Sequence, residues 1–156
     1  MKQPFSHIDE TGKLRMVDVS NKRPTTRRAR ASCIVRTVAD VGVTGSDSGG
    51  MDPSHVARVA GIQAAKQTAN LIPLCHPLDL NDIQVEVIPN EHYISISATV
   101  AAVHRTGVEM EALTACAFAA LSIVSSVVEV DPNAWIDDIV LLRKSGGESG
   151  DWGRLV

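Results

Sequence analysis

Seventeen consecutive residues, Ala112 to Val128, carry no charged side chain. A run like that has to lie in a core, in a bilayer, or under another chain. It is shorter than the ~20 residues that span a hydrocarbon core. Thr114, Ser122, Ser125 and Ser126 also interrupt it, so we read it as a buried helix of a soluble domain. Thr106 and Glu109 have the spacing of a capping box, which predicts a helix from Gly107 to about Glu129, with Pro132 beyond its end. A helix resting on a sheet keeps a polar outer face, whereas this one is apolar nearly all round. A second copy of the chain is the most economical cover, which predicts a homo-oligomer with pockets near its interface.

The rest of the pattern alternates strands with helices. Residues 1–30 are polar and basic and read as an N-terminal arm. Ala31 to Val38 is β-branched and reads as a first strand, followed by a glycine-rich loop from Gly42 to Gly50. Asp52-Pro53 supplies a helix start, with Asp52 capping and Pro53 at the first helical position. That helix should reach about Asn70, its buried face marked by Val56, Val59, Ala60 and Ala64. Asp82 to Ile88 and His92 to Val103 form a hairpin about Pro89-Asn90-Glu91. Asp137 to Leu142 is a last strand, before a Gly/Ser-rich tail over 144–156. The order βαββαβ predicts an α+β, ferredoxin-like fold, an antiparallel sheet with two helices on one face.

Composition excludes several classes of function. A chain of 156 residues fits a single domain that buries roughly two-thirds of its unfolded surface. Aromatic residues are only 3%, so the core must be built from Ala, Val, Ile and Leu. A net charge of −3 offers no general attraction to nucleic acid. Three cysteines, Cys33, Cys75 and Cys116, are widely spaced and suggest neither disulfides nor a zinc site, which fits a reducing cytoplasm. The N-terminus lacks the apolar run of a signal peptide. No metal and no membrane is expected.

Few residues carry chemistry by themselves. His76, between Cys75 and Pro77, is either a hydrogen-bond donor or proton carrier, or a histidine satisfied by backbone at a turn. Glu109 has a sufficient task in the capping box. Glu111 has none: it opens the apolar run, where a lone carboxylate needs a partner or a ligand. Lys66, Lys144 and the arm arginines, Arg27 and Arg30 among them, could meet a polyanion or simply face solvent.

Taken together, longer blocks are far more specific. His7-Ile8-Asp9, Met16-Val17-Asp18-Val19-Ser20, Ala57 to Lys66, Leu71 to Leu78, Thr106 to Thr114 and Lys144-Ser145-Gly146-Gly147 resemble the molybdenum cofactor biosynthesis protein C family, the cyclic pyranopterin monophosphate synthases. The resemblance runs from about residue 6 to about residue 152. It implies a ferredoxin-like fold, dimers that associate into hexamers, and a site at the dimer interface. It also implies a lyase of molybdopterin synthesis, which converts a cyclised dihydro-GTP to cyclic pyranopterin monophosphate with loss of pyrophosphate. No cofactor is implied. Leu74, Cys75, His76, Met110 and Glu111 would contact this GTP-derived substrate, with Arg27, Arg30, Lys66 and Lys144 on its triphosphate side.

The departures are as specific as the matches. Where the family carries a segment of the type Leu-Thr-Ile-Tyr-Asp-Met-x-Lys, this chain reads Leu121 to Val128, with Ser125 at the acid–base Asp and Val128 at the Lys. Gly50-Met51-Asp52 replaces a usual Lys-Gly-Asp. Ser125 and Val128 are thus degenerate catalytic positions beside the retained His76 and Glu111. The alternative to an active lyase is a catalytically impaired paralogue that binds nucleotide or assembles with a complete family member.

Overall fold

The computed structural model describes residues 5–39 and 52–155, so the expected loop from Gly42 to Gly50 lies outside the described residues. The chain runs β1 (Thr25–Arg36), α1 (Pro53–Lys66), α2 (Thr68–Leu71), β2 (Asp82–Pro89), β3 (Tyr93–His104), α3 (Glu109–Val127), β4 (Trp135–Ser145) and β5 (Trp152–Gly153). The fold is α+β, with five antiparallel strands in the order β2-β3-β1-β4-β5.

Alternation sets the two faces of the sheet. Ala29, Ala31, Cys33 and Val35 of β1 are buried with Ile94, Ile96, Ala98 and Val100 of β3, while Arg28, Arg30, Gln84 and Glu86 point to the open face. Both long helices cover the buried face, α1 through Ala57, Gly61, Ala64 and Ala65 and not through the expected Val56 and Val59, which are exposed. Small residues let them approach closely: a Cβ added to Gly61 would lie 2.9 Å from the Ala115 carbonyl and 3.3 Å from the Ala119 Cβ. Helix α3 therefore buries two flanks, one on the sheet and one on α1, which accounts for most of its charge-free length. It is long and apolar enough to cross a bilayer by length and composition, yet Ala112, Ala115, Cys116, Ala119, Ala120 and Ile123 are fully buried in the core.

Several boundaries differ from the expected ones for identifiable reasons. Asp52 does cap α1, accepting from the Ser54 amide at 2.8 Å. The helix stops at Lys66 rather than near Asn70, because Gln67 leaves helical geometry and the Thr68 hydroxyl donates to Ala65 O at 3.0 Å. Strand β1 begins at Thr25, six residues before Ala31, since Arg27 is an inward-facing member of its alternation. The hairpin forms about Asn90, whose amide donates to Tyr93 O at 2.8 Å. Strand β4 is longer than expected at both ends, and two irregularities shift its register against β1, with Asp138 in the left-handed region at φ 52°. Buried Asp131 accepts amide bonds from Val38, Ala39 and Asn133, tying the end of β1 to the start of β4. Burial opposes its ionisation, but those donors outweigh it and hold the carboxyl below its usual range.

The capping box does not form. Val108 occupies the cap position of α3 without a side-chain hydrogen bond. Thr106 Oγ1 lies 3.3 Å from His104 Nδ1 instead, and Glu109 reaches Lys144.

Candidate functional site

A cavity of about 690 Å³ opens beside the N-terminal end of α3. Four pieces of chain, together with Arg27 of β1, build it. The segment after α2 contributes Leu74, Cys75, His76 and Leu78; the β3–α3 loop and first turn of α3 contribute Arg105 to Gly107 and Glu109 to Glu111. The arm closes one side with Ser6, His7, Val17, Val19 and Lys22. Strand β4 and the turn beyond it add Lys144, Glu148 and Ser149.

Leu74 has φ 66°, in the left-handed region that a branched side chain rarely adopts. Its neighbour is held in a turn by the Cys75 amide donating to Ile72 O at 3.3 Å, and this strained turn presents Cys75 and His76 to the cavity. The Cys75 thiol is pushed up by burial and by the Glu111 charge, so it stays protonated near neutrality and is no ready nucleophile.

Glu111 is only 4% exposed. Burial is the main cause that raises its carboxyl to about 7; its own amide opposes this and Glu109 adds to it. A carboxyl that titrates at neutrality is suited to passing a proton in either direction. A small cavity of about 110 Å³ is lined by Lys66, His76 and Glu111 among others. His76 and Glu111 thus line both spaces.

Arg27 has a different task from the one expected of it. It is 9% exposed, and its guanidinium donates to His104 O at 3.3 Å, Arg105 O at 3.1 Å and Gly146 O at 3.2 Å. These bonds join the end of β3 to the end of β4 beneath the cavity. Gly147, at φ 81°, is required there, because a Cβ would run into the Arg27 guanidinium. The end of the chain beyond Lys144 is therefore packed against Arg27 and continues into β5. Lys144 forms an ion pair with Glu109 at 3.2 Å.

Of the residues singled out from the sequence, Leu74, Cys75, His76, Met110, Glu111, Lys144 and Arg27 line the large cavity. Lys66 reaches only the small one. Arg30 lies on the open face of the sheet, 3.9 Å from Glu86. Ser125 and Val128 are exposed, fourteen and seventeen residues beyond Glu111, about 21 and 25 Å further along the helix axis; they do not meet the cavity of their own chain. Glu148, an acidic residue at a tail position where the family is often basic, lines the large cavity as well, and His7, Lys22 and Arg105 are lining residues that the sequence did not point to. His7 sits in one of the blocks that carry the resemblance, and Arg105 precedes Thr106, so adjacency was the available signal. Among the described residues no group of three or more His, Cys, Asp or Glu is arranged to hold a metal ion.

The profile of the MoaC family matches residues 16–147. The chain is 49% identical over 153 residues to "Cyclic pyranopterin monophosphate synthase 2" of Mycobacterium bovis, covering 96% of this chain and 91% of that one. It is 49% identical over 154 residues to the cyclic pyranopterin monophosphate synthase of Streptomyces griseus, covering 96% and 86%. With that of Thermomicrobium roseum it shares 49% over 156 residues, covering 96% and 93%.

Proposed function

Because this chain belongs to the MoaC family, we propose that it acts in molybdenum cofactor biosynthesis as a lyase, converting a cyclised dihydro-GTP to cyclic pyranopterin monophosphate with release of pyrophosphate. What supports this reading is that Leu74-Cys75-His76 and Met110-Glu111, distant in sequence, line one cavity together with Lys144. In the proposed reaction Glu111 and His76 move protons on the nucleotide, and the lysines of the lining, Lys22 and Lys144, receive the phosphates. Glu111 is suited to this by its titration near neutrality. The order βαββαβ, with β2-β3-β1-β4 as the body of the sheet, supports a ferredoxin-like classification.

We place the working form in an oligomer, a trimer of dimers, in the cytoplasm. The exposed apolar residues Phe118, Leu121 and Val128 of α3 support an interface on that side. Ser125 and Val128 would then face a neighbouring copy. Since they stand where the family resemblance places Asp and Lys, turnover should fall below that of complete relatives. Loss of one positioned acid or base typically costs about 10²- to 10⁴-fold.

The test is single-turnover formation of pyranopterin from the cyclised nucleotide. Slow product from the wild-type chain is expected, with a gain of at least about tenfold from Ser125→Asp combined with Val128→Lys. No product above a no-enzyme control from either protein, alongside retained nucleotide binding by calorimetry, would replace this reading with that of a non-catalytic paralogue.

A further inference from the structure

The large cavity adjoins a second one of about 460 Å³, and Lys22, Arg27 and Glu148 line both. Arg27 is engaged with three carbonyls. The junction is therefore governed by the other two: Lys22 Nζ stands 3.5 Å from Glu148 Oε2.

Two separately anchored turns create this pair. The Lys22 carbonyl accepts from Arg105 Nε at 3.0 Å, and its amide donates to Val19 O at 3.0 Å. On the other side Arg27 holds Gly146 O, the Gly146 amide donates to Asp151 Oδ1 at 3.2 Å, and the Gly150 amide donates to Gly147 O at 3.2 Å. Left-handed Gly146, Gly147 and Gly150 let the chain make this tight turn, which carries Glu148 to the rim. The remaining charged lining of the smaller cavity is basic, Arg23 and Arg27, so Glu148 is its one acidic lining residue among the described residues. Lys144, which also lines the large cavity, is likewise engaged by a carboxylate, that of Glu109. Lys22 and Lys144 are thus each paired with a carboxylate of the chain itself.

We propose that Glu148 restrains polyanion binding at this rim: it holds Lys22 in the free chain and must yield it to a polyphosphate, so that removing it tightens ligands more as the number of their phosphates grows. The inference rests on the reading of the site as one for a GTP-derived ligand, but not on turnover. The side chains of this pair are exposed, and such pairs are weak and screened by salt. A ligand carrying several charges draws on Lys22 and has to displace the carboxylate; a ligand carrying one or two draws on Lys22 little.

Calorimetry of the full chain at low salt, with inorganic tripolyphosphate, pyrophosphate and orthophosphate, tests this directly. Glu148→Gln should tighten tripolyphosphate by about three- to fivefold, pyrophosphate by about twofold, and orthophosphate hardly at all. Lys22→Gln should weaken tripolyphosphate and abolish the gain, so that the double variant binds as Lys22→Gln does. Unchanged affinity in Glu148→Gln would overturn the proposal. So would a gain that persists without Lys22, equal gains for all three anions, or no binding of any polyphosphate by wild type and variant alike. None of these results bears on pyranopterin formation, which is judged with the cyclised nucleotide.

Discussion

One stripe of α3 meets two different environments along its length. Glu111, Thr114, Phe118, Leu121, Ser125 and Val128 fall within roughly 100° of helical arc. At the N-terminal end Glu111 and Thr114 are buried; further along, Phe118, Leu121 and Val128 are exposed. The covered end lies beneath the strained Leu74 segment and is polar, and its cover leaves a cavity. The other end is mostly apolar and, among the described residues, has nothing over it. The proposed chemistry is thus concentrated where this chain closes over its own helix incompletely, and the proposed association where the described residues do not close over it.

The comparison is broken most severely by removing what holds the covered end together. Arg27→Met takes away a buried cation and leaves the carbonyls of His104, Arg105 and Gly146 without their donors. Bonds to charged groups contribute about 1.5–3 kcal/mol each, and relaxation recovers part of that, so a loss of about 4 kcal/mol is expected in urea unfolding. Arg27→Lys should recover less than half, because one ammonium cannot reach three divergent carbonyls. Loss below about 1 kcal/mol would show that the clamp is incidental.

Next in size is the cost of keeping a carboxyl under that cover. Glu111 is raised from an ordinary 4.5 to about 7, chiefly by burial. Its protonated form is the one the folded chain prefers, so this contribution to stability is complete below about pH 4.5 and is lost as pH rises through 7. The whole effect is on the order of 3 kcal/mol. Glu111→Gln keeps a neutral side chain, so it should match wild type within about 1 kcal/mol at pH 5 and exceed its stability by up to about 3 kcal/mol at pH 8.5. Equal stability at both values would mean that the carboxyl is solvated and not under cover.

How much of this was legible in the sequence differs between the same two ends. The apolar run, the Asp52-Pro53 start, the hairpin about Asn90 and the alternation of β1 rest on local chemistry, and each appears as read, apart from shifted boundaries. The segments of Leu74 to His76 and Met110-Glu111 were also legible, through their resemblance to a family. The capping box was misread because Glu109 has a stronger partner, Lys144, which lies far along the chain and arrives only through the β1–β4 pairing. Arg27 looked like one more basic residue of the arm, since nothing in sequence shows that three carbonyls converge on it. Glu148 stood out as an acidic residue at a usually basic position, but its pairing with Lys22 was hidden for the same reason. Their meeting depends on two turns fixed by Arg105 and Arg27.

The smallest effect on the isolated chain is expected at the open end, where it is also the most informative. Leu121 is 51% exposed, so Leu121→Arg should move the stability of a single chain by only about 0.5 kcal/mol. If a second copy covers the stripe, the same change sets a charge in an apolar interface and splits the assembly. Sedimentation should then show a wild-type oligomer and a smaller variant, and only the wild-type melting temperature should rise with protein concentration. A wild-type chain that sediments as a monomer at all concentrations would leave the stripe facing solvent and remove the expected interface. Turnover of the variant decides the remaining point. Ser125 and Val128 lie on this stripe and away from their own cavity, so activity lost on dissociation means that a neighbour contributes to the site, and activity retained means that the cavity of one chain suffices.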